Sequence, residues 1–232
     1  MPPPPRPRGP PRPGLFRLGA AGHFLMAASG IVAGISFFFG GLFYYYSSSY
    51  PFWVPAIGVL ILVSSLMGAA GYYGQYHNYG SGMGAAAAIY ILIAGMLFLI
   101  LTVTSIRHES NSFSSYSSSS WITNVLMTWG AHIIFGVAVI LMGISNVVSR
   151  FHMGLPGLGS ASGVVLIIGG SFIISYFLSF VGFFMLTAGA ICAGINFVRA
   201  MVYDMDNLTA GQAPVADVPA YGWPQYQNRP PY

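Results

Sequence analysis

The sequence contains no lysine, a single cysteine and very little charge of either sign. Of its 232 residues, 55% are hydrophobic and only 5% are charged, whereas a soluble domain usually carries about 25% charged residues. A chain with so few charges cannot cover its surface with well-solvated groups, which indicates that much of that surface faces lipid. The net charge of +4 is spread thinly along the chain. Binding to nucleic acid needs clustered basic residues, so we expect no nucleic-acid partner.

These absences also limit the chemistry. The only cysteine, Cys192, lies in an apolar run, so neither an internal disulfide nor a cysteine-based zinc site can form. The apolar runs contain no Asp or Glu that could relay protons or coordinate a cation. No His-x-x-Glu motif or pair of histidines at helical spacing supports a metal site. We therefore expect no metal, no cofactor and no enzymatic activity.

Long uncharged runs dominate the rest of the sequence. A membrane-spanning helix needs about 20 apolar residues, and continuous rather than alternating apolar character favours helices over a barrel. Five stretches without Asp, Glu, Lys or Arg reach that length: residues 18–45, 52–74, 83–106, 121–148 and 163–198. The sequence predicts an all-α, polytopic transmembrane helical bundle of four to six spans, occupying residues 15–200.

The fifth stretch is too long for one simple span. As a single helix, residues 163–198 would extend about 54 Å at 1.5 Å per residue. We favour one long tilted helix that extends past the bilayer and leaves the C-terminus outside. The alternatives are two tightly linked spans, with Gly182 as a candidate break, or one span followed by an interfacial segment. Both alternatives would keep the two tails on the same side.

The two tails differ in composition from the spans. Residues 1–14 are basic and proline-rich, which favours an extended polyproline conformation. Four arginines precede the first span and predict a cytosolic N-terminus by the positive-inside rule: Arg6, Arg8, Arg12 and Arg17. The loops 46–51 and 107–120 would then face outside, and the loops 75–82 and 149–162 inside.

The tails also contain short motifs. Residues 7–12 match the PxxPxR pattern that SH3 domains bind, and the alternative is a plain extended tail with no such partner. Residues 201–232 are aromatic and proline-rich, which predicts a flexible C-terminal tail. Asn207 begins an Asn-Leu-Thr glycosylation sequon, which could be modified only if this tail lies outside.

Small residues at helical spacing predict close helix packing. Gly30 and Gly34 form a GxxxG motif, and Ala190 and Gly194 form a similar pair. Such residues let helices approach closely in lipid, where no hydrophobic drive brings them together. We interpret both pairs as packing within the bundle, with homo-oligomerisation as the alternative.

Two histidines lie within the apolar runs. Ionisable groups in a membrane are costly and often functional, so His23 and His132 are candidates for an intramembrane polar site. The alternative is a structural role near the end of a span, with a hydrogen bond to a backbone carbonyl or water. Each histidine is followed eleven residues later by Gly-Ile-Ser, at Gly34 and Gly143. This recurrence suggests an internal duplication, as in many transporters, although apolar sequence also produces such matches by chance.

Three segments resemble the CD20-like family. The first is SYPFW at residues 49–53, before the second span. The second is SGMGAAA at residues 81–87, where the third span begins, and the third is LGA at residues 18–20, in the first span. The resemblance covers residues 15–106. It implies a helical bundle at the plasma or endosomal membrane, with cytosolic tails and with association to itself and to other membrane proteins. That family has four spans, so the fifth stretch departs from its pattern. MARVEL-type tetraspans are a competing resemblance in general architecture only.

The expected function is that of a non-enzymatic multi-span protein of the plasma membrane or endomembrane system. It would organise or associate with other membrane proteins, including copies of itself, in contact with membrane lipids. A channel or transporter component is the alternative. A membrane enzyme ranks third because the acidic residues all lie outside the apolar cores: Glu109, Asp204, Asp206 and Asp217.

Overall fold

The protein is described by a computed structural model over residues 12–43, 53–111, 118–153, 155–175 and 177–209. Within these ranges the chain forms six helices and no strand: α1 (Pro13–Phe43), α2 (Trp53–Tyr79), α3 (Gly82–Asn111), α4 (Ser118–Val148), α5 (Pro156–Ile174) and α6 (Ser179–Thr209). Each contains a segment long and apolar enough to cross a membrane. The predicted polytopic helical bundle is therefore confirmed.

The first four helices coincide with the first four apolar stretches. The polar segment 107–120 is more helical than the sequence suggested, because α3 continues to Asn111 and α4 begins at Ser118. The loop 46–51, most of the N-terminal tail and the C-terminal tail beyond residue 209 lie outside the described residues.

The prediction of one long helix across residues 163–198 is wrong. α5 ends at Ile174 and α6 begins at Ser179, so this stretch contains two tightly linked spans. The break lies at Ser175, whose hydroxyl accepts a hydrogen bond from the Leu178 amide at 3.3 Å, and not at Gly182, which lies inside α6. The 19 residues of α5 extend about 28 Å at 1.5 Å per residue, close to the roughly 30 Å thickness of a hydrocarbon core.

The six helices form a closed ring. Each packs mainly against its neighbours in sequence, and α1 also packs along α6. The Arg12 amide donates to Asn78 Oδ1 at 3.2 Å, and Asn78 Nδ2 donates to Asp204 Oδ2 at 2.9 Å. The start of α1 and the ends of α2 and α6 therefore meet at one end of the bundle. We call it the tail end, because both tails adjoin it.

The α2–α3 connection is very short. Gly80 has a φ of 69°, a left-handed conformation that glycine adopts without steric cost. The amide of Ser81 donates back to the Gln75 carbonyl at 3.3 Å, and the Ser81 hydroxyl accepts from the Gly84 amide at 3.2 Å. Ser81 therefore caps the start of α3, and the chain reverses direction within two residues.

Close approach of the helices depends on glycines, which have no side chain. A Cβ atom added to Gly19 of α1 would lie 2.4 Å from the Cα of Gly71 in α2. Contact at this distance is possible only between glycines, so the two backbones touch there. In lipid such packing replaces the hydrophobic drive that holds soluble helices together.

The centre of the ring is closed. A gap there is too narrow to hold a water molecule, and its wall is apolar apart from two serine hydroxyls. Both hydroxyls donate to backbone carbonyls of their own helices. The wall is formed mainly by Met26 and Ser29 of α1, Ile61 and Ser64 of α2, Phe135 of α4 and Phe183 of α6.

Candidate functional site: a buried polar network near the tail end

His23 of α1 is completely buried. Its Nδ1 lies 2.7 Å from the Gly19 carbonyl oxygen and its Nε2 lies 3.0 Å from the Tyr72 hydroxyl. A carbonyl can only accept, so Nδ1 carries the hydrogen, and in the neutral ring Nε2 accepts from Tyr72. Both ring nitrogens are therefore satisfied. This geometry supports the structural alternative for His23, in which its ring hydrogen-bonds to a backbone carbonyl.

Aromatic rings surround this pair. The His23 ring centroid lies 4.9 Å from that of Phe197 in α6, and the Tyr72 ring meets Phe197 edge-on at 5.5 Å. Phe16, two turns before His23, lies 5.7 Å from the same Phe197 ring. Phe197 therefore joins α1, α2 and α6 and excludes water from the hydrogen bond between His23 and Tyr72.

A second set of hydrogen bonds is centred on Gln75, one turn after Tyr72. Its side-chain oxygen accepts from the hydroxyls of Ser145 in α4 and of Ser149 directly after α4. Its Nε2 donates to Asn146 Oδ1 at 3.2 Å and lies 3.2 Å from the Met153 sulfur. Gln75 is completely buried, and these contacts use both ends of its amide.

The network continues into α5 and α6. Asn146 Nδ2 donates to the Ser162 hydroxyl at 3.4 Å, and Asn196 Nδ2 lies 3.6 Å from the Met153 sulfur. Tyr72 lies one turn before Gln75 on α2, so the His23–Tyr72 pair adjoins the amides around Gln75. Five of the six helices therefore contribute polar groups to this buried region, in which the Asn196 oxygen lacks a partner.

The network is made of amides, hydroxyls, a phenol and an imidazole, and carries no carboxylate. Such groups can bind a neutral polar molecule or fix the relative positions of helices. They do not form a nucleophile with an adjacent base and an orienting acid. Sequence analysis missed Gln75, Asn146 and Asn196, although an amide in an otherwise apolar span was a usable signal.

A separate polar cluster lies at the tail end of the bundle. The carboxylate of Asp204 in α6 accepts hydrogen bonds from Asn78 Nδ2 at 2.9 Å and from the Tyr79 hydroxyl at 3.4 Å. His152, in the α4–α5 connection, stacks on the Tyr79 ring at 5.3 Å. Burial lowers the pKa of His152 below its ordinary value, because the charged imidazolium loses hydration there.

The structure does not bring the two predicted histidines together. His132 of α4 is buried near the opposite end, 5.6 Å from the ring of Phe98 and 6.5 Å from that of Phe183. Phe183 and Phe197, which contact the two histidines, lie fourteen residues apart on α6, about 21 Å along the helix axis. His23 and His132 therefore belong to different sites.

The two predicted packing motifs meet in one interface. Gly30 and Gly34 of α1 face α6: a Cβ added at these positions would lie 2.6 Å from Thr187 Oγ1 and 3.3 Å from the Phe184 ring, respectively. A Cβ added to Gly194 would lie 3.0 Å from Phe24 of α1, and Ala190 is completely buried. Both motifs are thus used within the ring, where they close it between α1 and α6.

The remaining candidates lie at the margin of the described chain. Asn207 belongs to the last turn of α6, but its side chain lies outside the described residues. So does the PxxPxR motif except for Arg12. Within the part of the chain that the structure describes, no group of three His, Cys, Asp or Glu side chains could hold a metal ion.

Comparison with known proteins gives no relative: no family model, no curated protein and no solved structure matches the chain.

Proposed function

We propose that the protein is a non-enzymatic, six-span membrane protein that organises other membrane proteins by presenting its two tails side by side. The observation that carries the proposal is the double hydrogen bond of Asn78. This residue binds the backbone of Arg12, where the N-terminal tail joins α1, and the carboxylate of Asp204, near the end of α6. The two proline-rich segments therefore start from neighbouring points on one face of the bundle.

The distribution of arginine supports a cytosolic position for this face. Arg12 and Arg17 lie at the start of α1, and Arg150 lies in the α4–α5 connection at the same end. Arg199 lies in the tail-end half of α6. Among the arginines that the structure describes, only Arg107, near the end of α3, lies toward the opposite end. Short segments rich in arginine remain on the cytosolic side.

Recognition of the tails would rest on their proline content. The PxxPxR pattern of residues 7–12 suits a domain of the SH3 type, because the polyproline conformation is already ordered before binding. The resemblance of residues 15–106 to the CD20-like family is in keeping with association between membrane proteins. Six spans rather than four separate this chain from that family's pattern.

The first test is the composition of the complex. The full chain, extracted in a mild detergent and measured by light scattering, should have a mass above that of one polypeptide or retain a membrane partner in constant ratio. A strict monomer that retains no protein under gentle extraction would remove the proposal.

A second test measures the contribution of the PxxPxR pattern in the N-terminal tail separately from that of the bundle. Pro7→Ala combined with Pro10→Ala removes the two prolines of the PxxPxR pattern. Pro3→Ala combined with Pro4→Ala is the matched control, with the same number of prolines lost outside the pattern. Partner recovery should fall in the first double variant and remain in the control. Equal recovery from both would leave the PxxPxR pattern without a role.

A channel or transporter component is the second candidate function, favoured by the buried polar groups around His23 and Gln75. Hydroxyls and amides can line a conduction path without carboxylates. We expect His23→Ala or His132→Ala to change flux of small neutral solutes or ions in reconstituted vesicles. Flux through the unmodified protein no greater than in empty vesicles would eliminate this candidate.

A further inference from the structure

The two halves of the chain carry the same motifs in the same order. The His-x10-Gly-Ile-Ser pattern of α1, from His23, recurs in α4, from His132. Two helices later in each half, Ala-Gly-x-x-Phe occurs in α3, ending at Phe98, and in α6, ending at Phe197. The helices α1–α3 thus correspond to α4–α6.

Burial follows the same correspondence. In α1, His23 and the positions 3, 4, 6, 7, 10 and 11 residues after it are buried, and the same offsets from His132 are buried in α4. In α2, Gly58 and the residues 3, 6 and 7 positions after it are buried, and the same holds for Gly163 in α5. Equivalent helices therefore turn equivalent faces toward the bundle.

The contacts between halves are also equivalent. His23 of the first half packs on Phe197 of the second, at 4.9 Å with an interplanar angle of 47°. His132 of the second half packs on Phe98 of the first, at 5.6 Å with an angle of 55°. Each histidine is therefore covered by the phenylalanine that ends the Ala-Gly-x-x-Phe motif of the other half.

The relation between the halves is an inversion. α1 begins at the tail end, whereas α4 finishes there, because Ser149 directly after α4 bonds Gln75 near the end of α2. The first contact, His23 with Phe197, lies toward the tail end, and the second, His132 with Phe98, lies toward the opposite end. This is the arrangement that a two-fold axis in the membrane plane produces.

We propose that the protein consists of two inverted three-helix repeats whose two seams, α1·α6 and α3·α4, open in alternation to opposite membrane faces. The His23–Phe197 contact closes the tail-end side, and the His132–Phe98 contact closes the other. Between them lies the closed centre, where Met26 and its counterpart Phe135 face each other across the gap with the Ser29 and Ser64 hydroxyls nearby. An uncharged wall of this kind suits a small, neutral solute.

This inference is independent of the tails, and would supply the second candidate function with its mechanism. Alternation has a thermodynamic consequence that independent opening of the two seams lacks. When two open states compete for one population, favouring one of them depletes the other. Holding one seam open should therefore reduce access through the other.

The experiment uses the full chain in oriented proteoliposomes, with Cys192→Ser as background and a membrane-impermeant maleimide added to one face at a time. Ala94→Cys and Ala193→Cys are matched reporters, both completely buried and each one turn toward the centre from its phenylalanine. Phe98→Leu should raise labelling at position 94 from the face opposite the tails, and Phe197→Leu should raise labelling at position 193 from the tail face, each several-fold. Phe177→Leu, on the exposed surface, should change neither.

The decisive variant combines Phe98→Leu with Phe197→Leu. In the combined variant carrying both reporter cysteines, prior labelling at position 94 from the face opposite the tails should hold the α3·α4 seam open and lower later labelling at position 193 from the tail face several-fold. Labelling at position 193 that prior labelling at position 94 leaves unchanged overturns alternation. Absence of labelling in every variant that elutes as a single species overturns the role of the seams, and neither result depends on any partner of the tails.

Discussion

The Nε2 atom of His23 lies 3.0 Å from the Tyr72 hydroxyl, across the interface between α1 and α2. Both residues are completely buried, so neither atom can exchange this partner for water. Because the Gly19 carbonyl fixes the hydrogen on Nδ1, Nε2 needs a donor, and Tyr72 is positioned to supply it. The pair therefore ties the first two helices together at a defined register.

Tyr72→Phe should destabilise the bundle, because it leaves Nε2 of His23 buried without a donor. A buried hydrogen-bonding group without its partner costs about 1–3 kcal/mol, and hydrogen bonds between membrane helices fall toward the lower part of that range. The measurement is the free energy of unfolding in detergent. Tyr73→Phe, on an exposed position, is the control. Equal stability of the two variants would contradict the assigned hydrogen bond.

Gln75→Leu should cost more than Ser149→Ala. The first change removes the acceptor of two serines and the donor to Asn146, whereas the second removes one bond of 3.3 Å. We expect a loss of about 2–3 kcal/mol for the first and under about 1 kcal/mol for the second. Unfolding in detergent measures both, and the reverse order would show that Gln75 does not centre the network.

Gly19→Val should prevent the packing of α1 on α2. Its Cβ would lie 2.4 Å from the Gly71 backbone, and backbone cannot move aside as a flexible side chain can, so the cost should exceed the usual 1–3 kcal/mol of an overpacked site. Gly14→Val, with nothing within 4 Å of the added Cβ, is the control. Size-exclusion chromatography should show aggregation for the first variant alone. A monodisperse Gly19→Val protein of normal stability would refute the close approach.

The Asn207 sequon should remain unmodified in cells. Asn207 is in the last turn of α6, at the end of the bundle where α1 begins, and our proposal places that end in the cytosol. Ser115→Asn, which creates an Asn-Tyr-Ser sequon in the α3–α4 connection, should be glycosylated instead. An endoglycosidase gel shift reports both. A shift of the unmodified chain that Asn207→Gln abolishes would place the tails outside.

Acidification should weaken the tail end through His152. Its pKa is lowered by burial, so below its ordinary value near 6.5 the unfolded chain binds a proton that the folded chain does not. Stability is therefore complete above that pH and declines as the pH falls below it, until the folded pKa is reached. The thermal midpoint should fall between pH 7.5 and 5.5 in the unmodified protein and less in His152→Phe. The same fall in both would assign the effect to another group.

Much of the fold followed from the sequence because lipid imposes a simple length and polarity rule on helices. The rule failed at Ser175, where a four-residue turn without charge separates α5 from α6 and leaves the apolar run unbroken. A hydrogen bond from Leu178 to a serine hydroxyl satisfies that turn, and nothing in composition distinguishes it from the serines inside helices. Span counting by charge alone therefore merges helices whose connection is this short.

The site was less predictable than the fold. His23 stood out as an ionisable group in an apolar run, and its aromatic neighbour Phe197 lies 174 positions away. Gln75 and Asn146 are uncharged, and what makes them a network is a contact across 71 positions. Periodicity identifies which face of a helix is buried, but it does not identify which other helix covers that face.

Closure of the ring between α1 and α6 has a consequence for biosynthesis. α1 has its most extensive interface with α6, which is synthesised after the four helices between them. The face of α1 that carries Gly30 and Gly34 therefore stays in lipid or against a chaperone until α6 leaves the insertion machinery. Contacts this distant in sequence form late and slowly. A chain that stops before α6 would display an unpaired glycine face in the bilayer, a signal by which membrane quality control could recognise an unfinished molecule.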